Sequence, residues 1–221
     1  MRISKKIVVS ACFLFTLVSY SQYGWRDGNR IGLFAGPNYT HIISSNLDTK
    51  SKIGWTAGGQ VRGNLHNLWS AVYGVRFIES NFAVNTRTPG GRAQEVDYKT
   101  RAAQLSFLFS YNLIEEVMSI DFGPVLQING NLAFKNGLQR NTINGTNLLV
   151  KDIIKVNNFS GLLYLGTTIG NNVIRANFNY TLGINNSFGK LNNNTDLVAK
   201  NNHKDFKGRS GIFTAALLIN L

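Results

Sequence analysis

The chain is poor in the features that usually hold a secreted domain together or anchor it in a membrane. Its 221 residues include a single cysteine, Cys12, so no disulfide can form within the chain. Beyond residue 21, no apolar run approaches the roughly 20 residues that a membrane-spanning helix needs. A chain that is 43% apolar must therefore hide its apolar side chains in some other way.

Charged residues are also few, at 15% of the chain, and acidic residues are the scarcest, with 11 Asp and Glu against 23 Lys and Arg. A basic excess indicates nucleic-acid or anionic-surface binding when the basic residues cluster. Here they are scattered among Asn, Gly and Thr, and no stretch concentrates them. The pattern therefore argues against a nucleic-acid-binding protein.

The N-terminus has the pattern of a secretory signal peptide. Three basic residues precede an apolar run at 7–18, and the small residues that signal peptidase reads follow at 19–21. We therefore predict a signal peptide at 1–21 and a mature domain at 22–221. The stretch VSAC, which ends at Cys12, also fits a lipoprotein signal, but most of the apolar core would then follow the lipidated residue.

After the signal, apolar residues recur at every second position in eight segments of roughly ten residues. In GWTAGGQVRGN, for example, Trp55 and Val61 lie on one face, and Gln60 and Arg62 lie on the other. This period of two predicts eight β-strands.

The connections between these segments alternate between short and long. Tight turns at one end and large loops at the other are typical of an up-and-down barrel in an outer membrane. We therefore predict an all-β fold, a single eight-stranded antiparallel up-and-down transmembrane β-barrel with periplasmic termini. A soluble β-sandwich, the alternative, also alternates but predicts no such rhythm of connections. The predicted long loops are about 41–53, 81–96, 133–158 and 184–209.

The last segment, SGIFTAALLINL, is itself a predicted strand. Lipid offers no hydrogen-bond partner to a free strand edge, so this eighth strand must pair with the first. Its alternating face is also typical of the C-terminal signal that the barrel-insertion machinery reads, although such signals usually end in an aromatic residue. The residues of this predicted signal are Phe213, Ala215, Leu217, Ile219 and Leu221.

Four segments resemble the PorT-like outer-membrane β-barrel family of Bacteroidota, which are OmpA-like small barrels. They are GLFAGPNYTHI, GWTAGGQV, SIDFGPVLQI and VIRANFNYTLGINN, in this order along nearly all of the mature chain. The resemblance implies a barrel of about eight strands in the cell outer membrane. The name-giving member is tied to protein secretion, and the family brings no catalytic motif and no cofactor.

Polar residues occupy the face opposite the apolar one, and we expect them to point into the lumen. Eight strands leave a lumen just wide enough for side chains to fill. Buried arginines need partners, so we expect Asp121 and amides to bind them, with Glu79 assisting if its strand bulges. A narrow anion-lined pore is the alternative. The predicted lumen network is Gln60, Arg62, Arg76, Gln104, Asp121, Gln127, Asn129, Arg175, Asn177 and Asn179.

Proline cannot donate to a strand ladder, so the pairs Gly36-Pro37 and Gly123-Pro124 predict bulges. Metal ligands must converge, but the three histidines fall in separate predicted loops and turns, with no recognisable nucleophile beside them. We therefore expect neither a metal nor a cofactor nor catalytic residues.

These features predict a non-enzymatic barrel, an accessory or structural subunit of a larger outer-membrane complex for secretion or outer-membrane protein assembly. A small-solute porin is the alternative, and a lipid-modifying enzyme is a third hypothesis. The expected partners are outer-membrane lipids and lipopolysaccharide, the barrel-insertion machinery and other outer-membrane proteins. Basic residues of the outer loops either pair with lipid A phosphates or only keep Asn-rich loops soluble.

Overall fold

The computed structural model describes residues 30–44, 47–66, 68–135 and 137–221, so the predicted signal peptide lies outside the described residues. Ten strands in these ranges form one antiparallel sheet, and eight of them close into a ring in the order β1-β2-β3-β4-β5-β8-β9-β10. The strands are β1 (Arg30–Ser44), β2 (Thr49–His66), β3 (Trp69–Arg87), β4 (Ala93–Ile114), β5 (Met118–Asn129), β6 (Ala133–Phe134), β7 (Thr142–Ile143), β8 (Phe159–Gly170), β9 (Ile174–Gly183) and β10 (Gly208–Asn220).

The ring closes between β1 and β10. These strands pair antiparallel from Gly32 opposite Asn220 to Ser44 opposite Gly208. Each of the eight strands is hydrogen-bonded to two neighbours, so the ring leaves no free edge in the bilayer. The predicted eight-stranded antiparallel barrel is confirmed, including its closure by the C-terminal strand.

Exposed and buried positions alternate along the ring strands. Phe77 is 63% exposed, whereas its neighbours Arg76 and Ile78 are 6% and 3% exposed. The exposed set is apolar because this outer surface faces lipid, and the inner set is shielded by the barrel wall. Phe213, Leu217 and Ile219 of the predicted C-terminal signal lie on the outer face of β10.

Three strands are longer than the sequence pattern predicts. β2, β3 and β4 contain 18, 19 and 22 residues, whereas β5, β8 and β9 contain 12, 12 and 10. The predicted long loops 41–53 and 81–96 are therefore largely strand, and only 45–48 and 88–92 connect these strands. The reason is tertiary packing, because other loops bury one face of the extended β3–β4 hairpin.

The cap is the name we give to residues 130–135, 137–158 and 184–207 together with the extended ends of β3 and β4. Tyr98 stacks on Phe82 with ring centroids 5.5 Å apart, and its hydroxyl donates to the Val150 carbonyl oxygen at 2.9 Å. The predicted loops 133–158 and 184–209 thus form a folded layer with its own core. That core consists of Leu47, Phe82, Val84, Val96, Tyr98, Leu132, Ile143, Leu148, Val150, Ile153, Val156, Phe188, Leu191 and Phe206.

Short elements complete the cap. β6 pairs with β4 and β7 pairs with β3, which ties the loop after β5 to the extended hairpin. Two 3-10 helices, Val150–Ile153 and Gly189–Asn193, precede the α-helix Thr195–Lys200. Asn194 caps that helix by accepting from the backbone N–H groups of its first turn. Among the described residues, no helix is long and apolar enough to cross a membrane.

Both Gly-Pro pairs keep the register of the ring, so the predicted bulges are wrong. The offset between β1 and β10 is the same on both sides of Pro37, and that between β4 and β5 is the same on both sides of Pro124. The preceding glycines explain how the strands stay together. A Cβ at Gly36 would lie 2.0 Å from the Ala215 carbonyl oxygen, so only glycine allows this close approach.

Candidate functional site

The inner face of the barrel carries the polar residues that the sequence pattern predicts for the lumen. The lumen has a turn side, where 67–68, 115–117 and 171–173 connect the strands, and a loop side, which the cap covers. Gln60, Asn129 and Asn177 are partly buried. The others are more than nine-tenths buried, and they are Arg62, Arg76, Gln104, Asp121, Gln127, Arg175 and Asn179.

Asp121 is the centre of a layer on the turn side. Its Oδ1 accepts from the Arg62 guanidinium at 3.1 Å and from the hydroxyls of Ser110 and Ser119, and its Oδ2 accepts from the Thr168 hydroxyl at 2.6 Å. Arg62 also donates to the two serine hydroxyls. Four strands are joined through one buried carboxylate, and a charge-assisted pair of this kind holds its geometry tightly.

Arg76 lies in a middle layer without a carboxylate. Its guanidinium carbon is 5.4 Å from the ring centroid of Phe34 and 5.4 Å from that of Tyr164. These distances fit cation–π contacts on both rings. The structure therefore pairs Arg62 with Asp121, as the sequence leads us to expect, but it stabilises Arg76 by aromatic rings instead.

Amide side chains join the strands elsewhere in the lumen. Gln104 donates to Gln127 at 2.6 Å, Gln127 donates to Asn129, and Asn129 donates to the Ser160 hydroxyl at 2.8 Å. A second chain runs along β9, where Asn179 donates to Asn177 at 2.6 Å and Asn177 donates to the Thr168 hydroxyl and contacts the Tyr164 hydroxyl. Through Thr168, this second chain reaches the Asp121 layer.

Apolar side chains fill the rest of the lumen. Val72, Leu108, Val125 and Leu162 are at most 3% exposed and form one cluster with Tyr164. Where the lumen meets the cap, one cavity has a volume of about 40 Å³. That space holds a water or two rather than an open channel.

The turn side ends in a hydrogen-bonded rim. Arg30 donates to the Asn172 side-chain oxygen at 2.7 Å, and Asn172 donates to Glu116 at 3.1 Å. The Arg30 guanidinium is also 3.9 Å from the Glu116 carboxylate. These three side chains, which we call the latch, connect the start of β1 to the turns after β4 and β8.

Glu79 lies on the outer face and does not assist the lumen. Its carboxylate pairs with Lys99 at 2.9 Å and with Arg101 at 3.0 Å, because odd-numbered positions of β3 and β4 point outwards. The expectation of a bulge that turns Glu79 inwards is therefore wrong.

Further along the extended hairpin, basic side chains find partners within the protein. Lys50 pairs with Glu95, and Lys52 is 3.3 Å from Asp97. The hydrogen bond from Lys50 is the main cause that lowers the pKa of the exposed Glu95 carboxyl. These lysines are thus partly neutralised, and pairing of the outer basic residues with lipid A phosphates stays a prediction.

Histidines do not converge in the described residues. His41 stacks on Tyr180 on the outer face, with its ring nitrogen 3.2 Å from the tyrosine hydroxyl, whereas His203 lies in a turn of the cap. His41 belongs to β1 rather than to a loop, because β1 extends to Ser44. No group of three or more His, Cys, Asp or Glu side chains in the described ranges is arranged to hold a metal ion.

A groove of about 710 Å³ lies on the lipid-facing side of β1 to β5. Its floor is Gly59, where the missing side chain leaves space beside Leu33. Tyr73, Val75 and Phe107 form its apolar walls.

Residues of β8 are the functional positions that sequence reasoning missed. Thr168 and Tyr164 complete the Asp121 layer and the Arg76 contact, yet the segment FSGLLYLGTTIG is apolar on both faces and shows no clear inner side. Ser160, in the same strand, ends the amide chain from Gln104. The short polar side chains at even positions of this strand could have identified its lumen-facing side.

The closed ring, lipid-facing apolar surface and filled lumen define an integral outer-membrane β-barrel. Residues 20–189, well over half of the chain, match the family described as outer membrane protein beta-barrel domain. The chain belongs to this family, which confirms the predicted outer-membrane location. The match is to the broad family and does not identify the PorT-like group within it.

Two solved structures serve for comparison, and the first of them shares the fold. Neisserial surface protein A (NspA) is 10% identical, with a TM-score of 0.50 over 89% of this chain and 100% of that chain. Ail, the attachment invasion locus protein of Yersinia pestis, solved in complex with the heparin analogue sucrose octasulfate, is 8% identical, with a TM-score of 0.47 over 87% of this chain and 99% of that chain. At such identities the likeness concerns the fold alone. No curated protein matches the chain.

Proposed function

We propose that the protein is a non-enzymatic, non-conducting barrel that acts as an accessory or structural subunit of a larger outer-membrane complex, for secretion or outer-membrane protein assembly. The observation that carries the proposal is the closed lumen. The Asp121 layer, the Arg76 contacts and the cap leave a residual cavity of about 40 Å³ below the cap. If solutes do not cross the lumen, the outer surface and the cap are the parts of the barrel that carry its function.

In this proposal, the cap faces the cell exterior and the turn side faces the periplasm. Barrels of this class have their short turns in the periplasm and their larger loops outside. The folded core of the cap supports this arrangement, because it presents a fixed surface rather than mobile loops to the exterior.

The groove above Gly59 supports contact with another membrane protein. Lipid tails are as apolar as the groove walls, so association within the bilayer depends on close packing, which small residues allow. Gly59 lies at the outward-facing centre of β2 and provides such a close approach between Leu33 and Val75. The proposed occupant is the apolar outer face of a second outer-membrane protein.

Affinity purification from native outer membranes tests this proposal. In a mild detergent, the wild-type barrel is expected to co-purify with a second outer-membrane protein in a fixed ratio. Gly59→Leu adds a bulky apolar side chain to the floor of the groove and should abolish the association while leaving the lumen unchanged. Ala176→Leu is the matched control, because Ala176 points outwards on β9, away from the groove.

The comparison of the two variants decides the outcome. Retention of the partner by Ala176→Leu and its loss from Gly59→Leu supports the proposed contact. Recovery of the wild-type barrel only as a free monomer contradicts a subunit role, and equal retention by both variants contradicts the groove as the contact.

A small-solute porin is the second candidate function. The observation in its favour is the excess of arginine in the lumen, where Arg62, Arg76 and Arg175 are buried with Asp121. Such an excess favours anions.

A further inference from the structure

The turn side of the lumen contains positive charge that the side chains there do not neutralise. Arg175, at the second position of β9, is 3% exposed. Arg62 and Arg30 lie close enough to repel it electrostatically, and Asp121 and Glu116 lie close enough to attract it. Arg62 lies 3.1 Å from Asp121 and Arg30 lies 3.9 Å from Glu116, whereas Arg175 forms no ion pair with a described carboxylate.

The first of these carboxylates is bound by donors other than Arg175. Asp121 accepts four hydrogen bonds, from Arg62, Ser110, Ser119 and Thr168. Three of these bonds end on Oδ1 and one ends on Oδ2, and none of them comes from Arg175.

The second carboxylate belongs to the latch. Glu116 accepts from Asn172 and lies 3.9 Å from Arg30, and its side chain is 42% exposed at the rim. Arg175 takes part neither in the hydrogen bonds of Asp121 nor in the latch. Its Nε is buried and has no hydrogen-bond partner in the described part of the chain.

A buried Nε–H without an acceptor is unfavourable, because Arg stays protonated and a buried charged donor needs an acceptor. The planar fork of an arginine matches two oxygens of a phosphate or a carboxylate. One oxyanion would supply the missing acceptors and remove the excess charge at the same time.

We propose that the turn side of the lumen is a binding site for one oxyanion, a phosphate or carboxylate group, which Arg175 binds. Arg30 of β1 and Arg62 of β2, which lie directly opposite each other, add electrostatic attraction. The anion enters past the latch and does not cross the barrel, because the cap closes the opposite side. The site is independent of the proposed role in a complex.

Direct binding to the purified barrel in detergent micelles tests this inference. Inorganic phosphate and acetate are titrated separately, with chloride used to hold the ionic strength constant. Equilibrium dialysis with labelled phosphate or acetate is expected to show saturable binding of one anion per barrel, accompanied by a rise in the unfolding temperature. Preference for phosphate or for acetate identifies which group is bound.

Variants assign the site to Arg175. Arg175→Gln should weaken anion binding by about tenfold or more, the equivalent of losing a charge-assisted pair. Arg209→Gln removes the same charge from an exposed position on the loop side of β10 and should bind the anion as the wild type does. Arg175→Lys keeps the charge without the fork, and we expect an intermediate affinity that can be measured if the Gln variant does not fold.

Two results overturn the inference. One is wild-type protein that shows no saturable binding of either anion at constant ionic strength. The other is an unchanged affinity of the Arg175→Gln variant for the anion, or of the Arg175→Lys variant if the Gln variant does not fold.

Discussion

At the residue scale, the polar contacts of the lumen include one carboxylate, Asp121, that accepts four hydrogen bonds. Its carboxylate joins β2, β4, β5 and β8 through the Arg62 guanidinium and three hydroxyls. Arg76 obtains its stabilisation differently, between the rings of Phe34 and Tyr164. The two arginines therefore respond differently to the loss of one carboxylate.

Replacing Asp121 tests the residue-level account. Asp121→Ala leaves Arg62 buried without its partner and should lower the free energy of unfolding by about 3–5 kcal/mol. Ser119→Ala removes a neutral hydroxyl from the same layer and should cost only about 1 kcal/mol. Urea unfolding of the barrel in lipid vesicles measures both, and equal effects of the two substitutions would show that the ion pair is not what stabilises this layer.

At the scale of the elements, each strand combines a local alternation with partners that it meets only in the fold. β9 shows this within ten residues, since Phe178 points to lipid while Arg175 and Asn179 are buried inside. β3 and β4 keep the same alternation beyond the lipid-facing band, where Phe82 and Tyr98 enter the core of the cap. The same alternation therefore places side chains in two environments along one hairpin, the lipid-facing band of the barrel and the apolar core of the cap.

The lipid-facing pattern predicts a dependence on depth along β9. Phe178→Arg places a charge well inside the apolar band and should destabilise the barrel by about 2–4 kcal/mol. Ile174→Arg, at the first position of the same strand, should cost about 0–1 kcal/mol because it lies near the interface. Unfolding in vesicles checks both variants, with Phe178→Leu as the apolar control; equal costs of the two arginines would contradict the assigned outer face.

The whole molecule is a barrel closed by two means, a filled lumen and a folded cap. The lumen layers join opposite sides of the ring, and the cap joins the loop after β5 and the loop after β9 to the extended hairpin. We therefore expect that removal of the lumen layers would leave the cap in place, and the reverse.

Electrical recording tests the closed state of the whole molecule. The wild-type barrel reconstituted in a planar bilayer should show no steady conductance, with a general porin as the positive control. Asp121→Ala should show brief openings, because Arg62 loses the partner that holds it across the lumen. Steady, anion-selective channels from the wild-type protein would favour the porin over the proposed accessory role.

The sequence by itself determined which residues face lipid, because a strand turns successive side chains to opposite sides and this period is local. Phe77, Phe178 and Phe213 lie outside for that reason. The same period implied the number of strands, and the requirement that no edge remain in lipid implied that β10 pairs with β1.

Only the tertiary structure decided which partner each inner side chain meets. Arg62 and Asp121 are 59 positions apart, and Arg76 has rings from β1 and β8 beside it. The cap follows the same rule, since Phe82 and Val96, within the predicted loop 81–96, are strand residues whose side chains pack into the core of the cap. Such contacts depend on ring closure and on the packing of separate segments, and no local period in the chain encodes them.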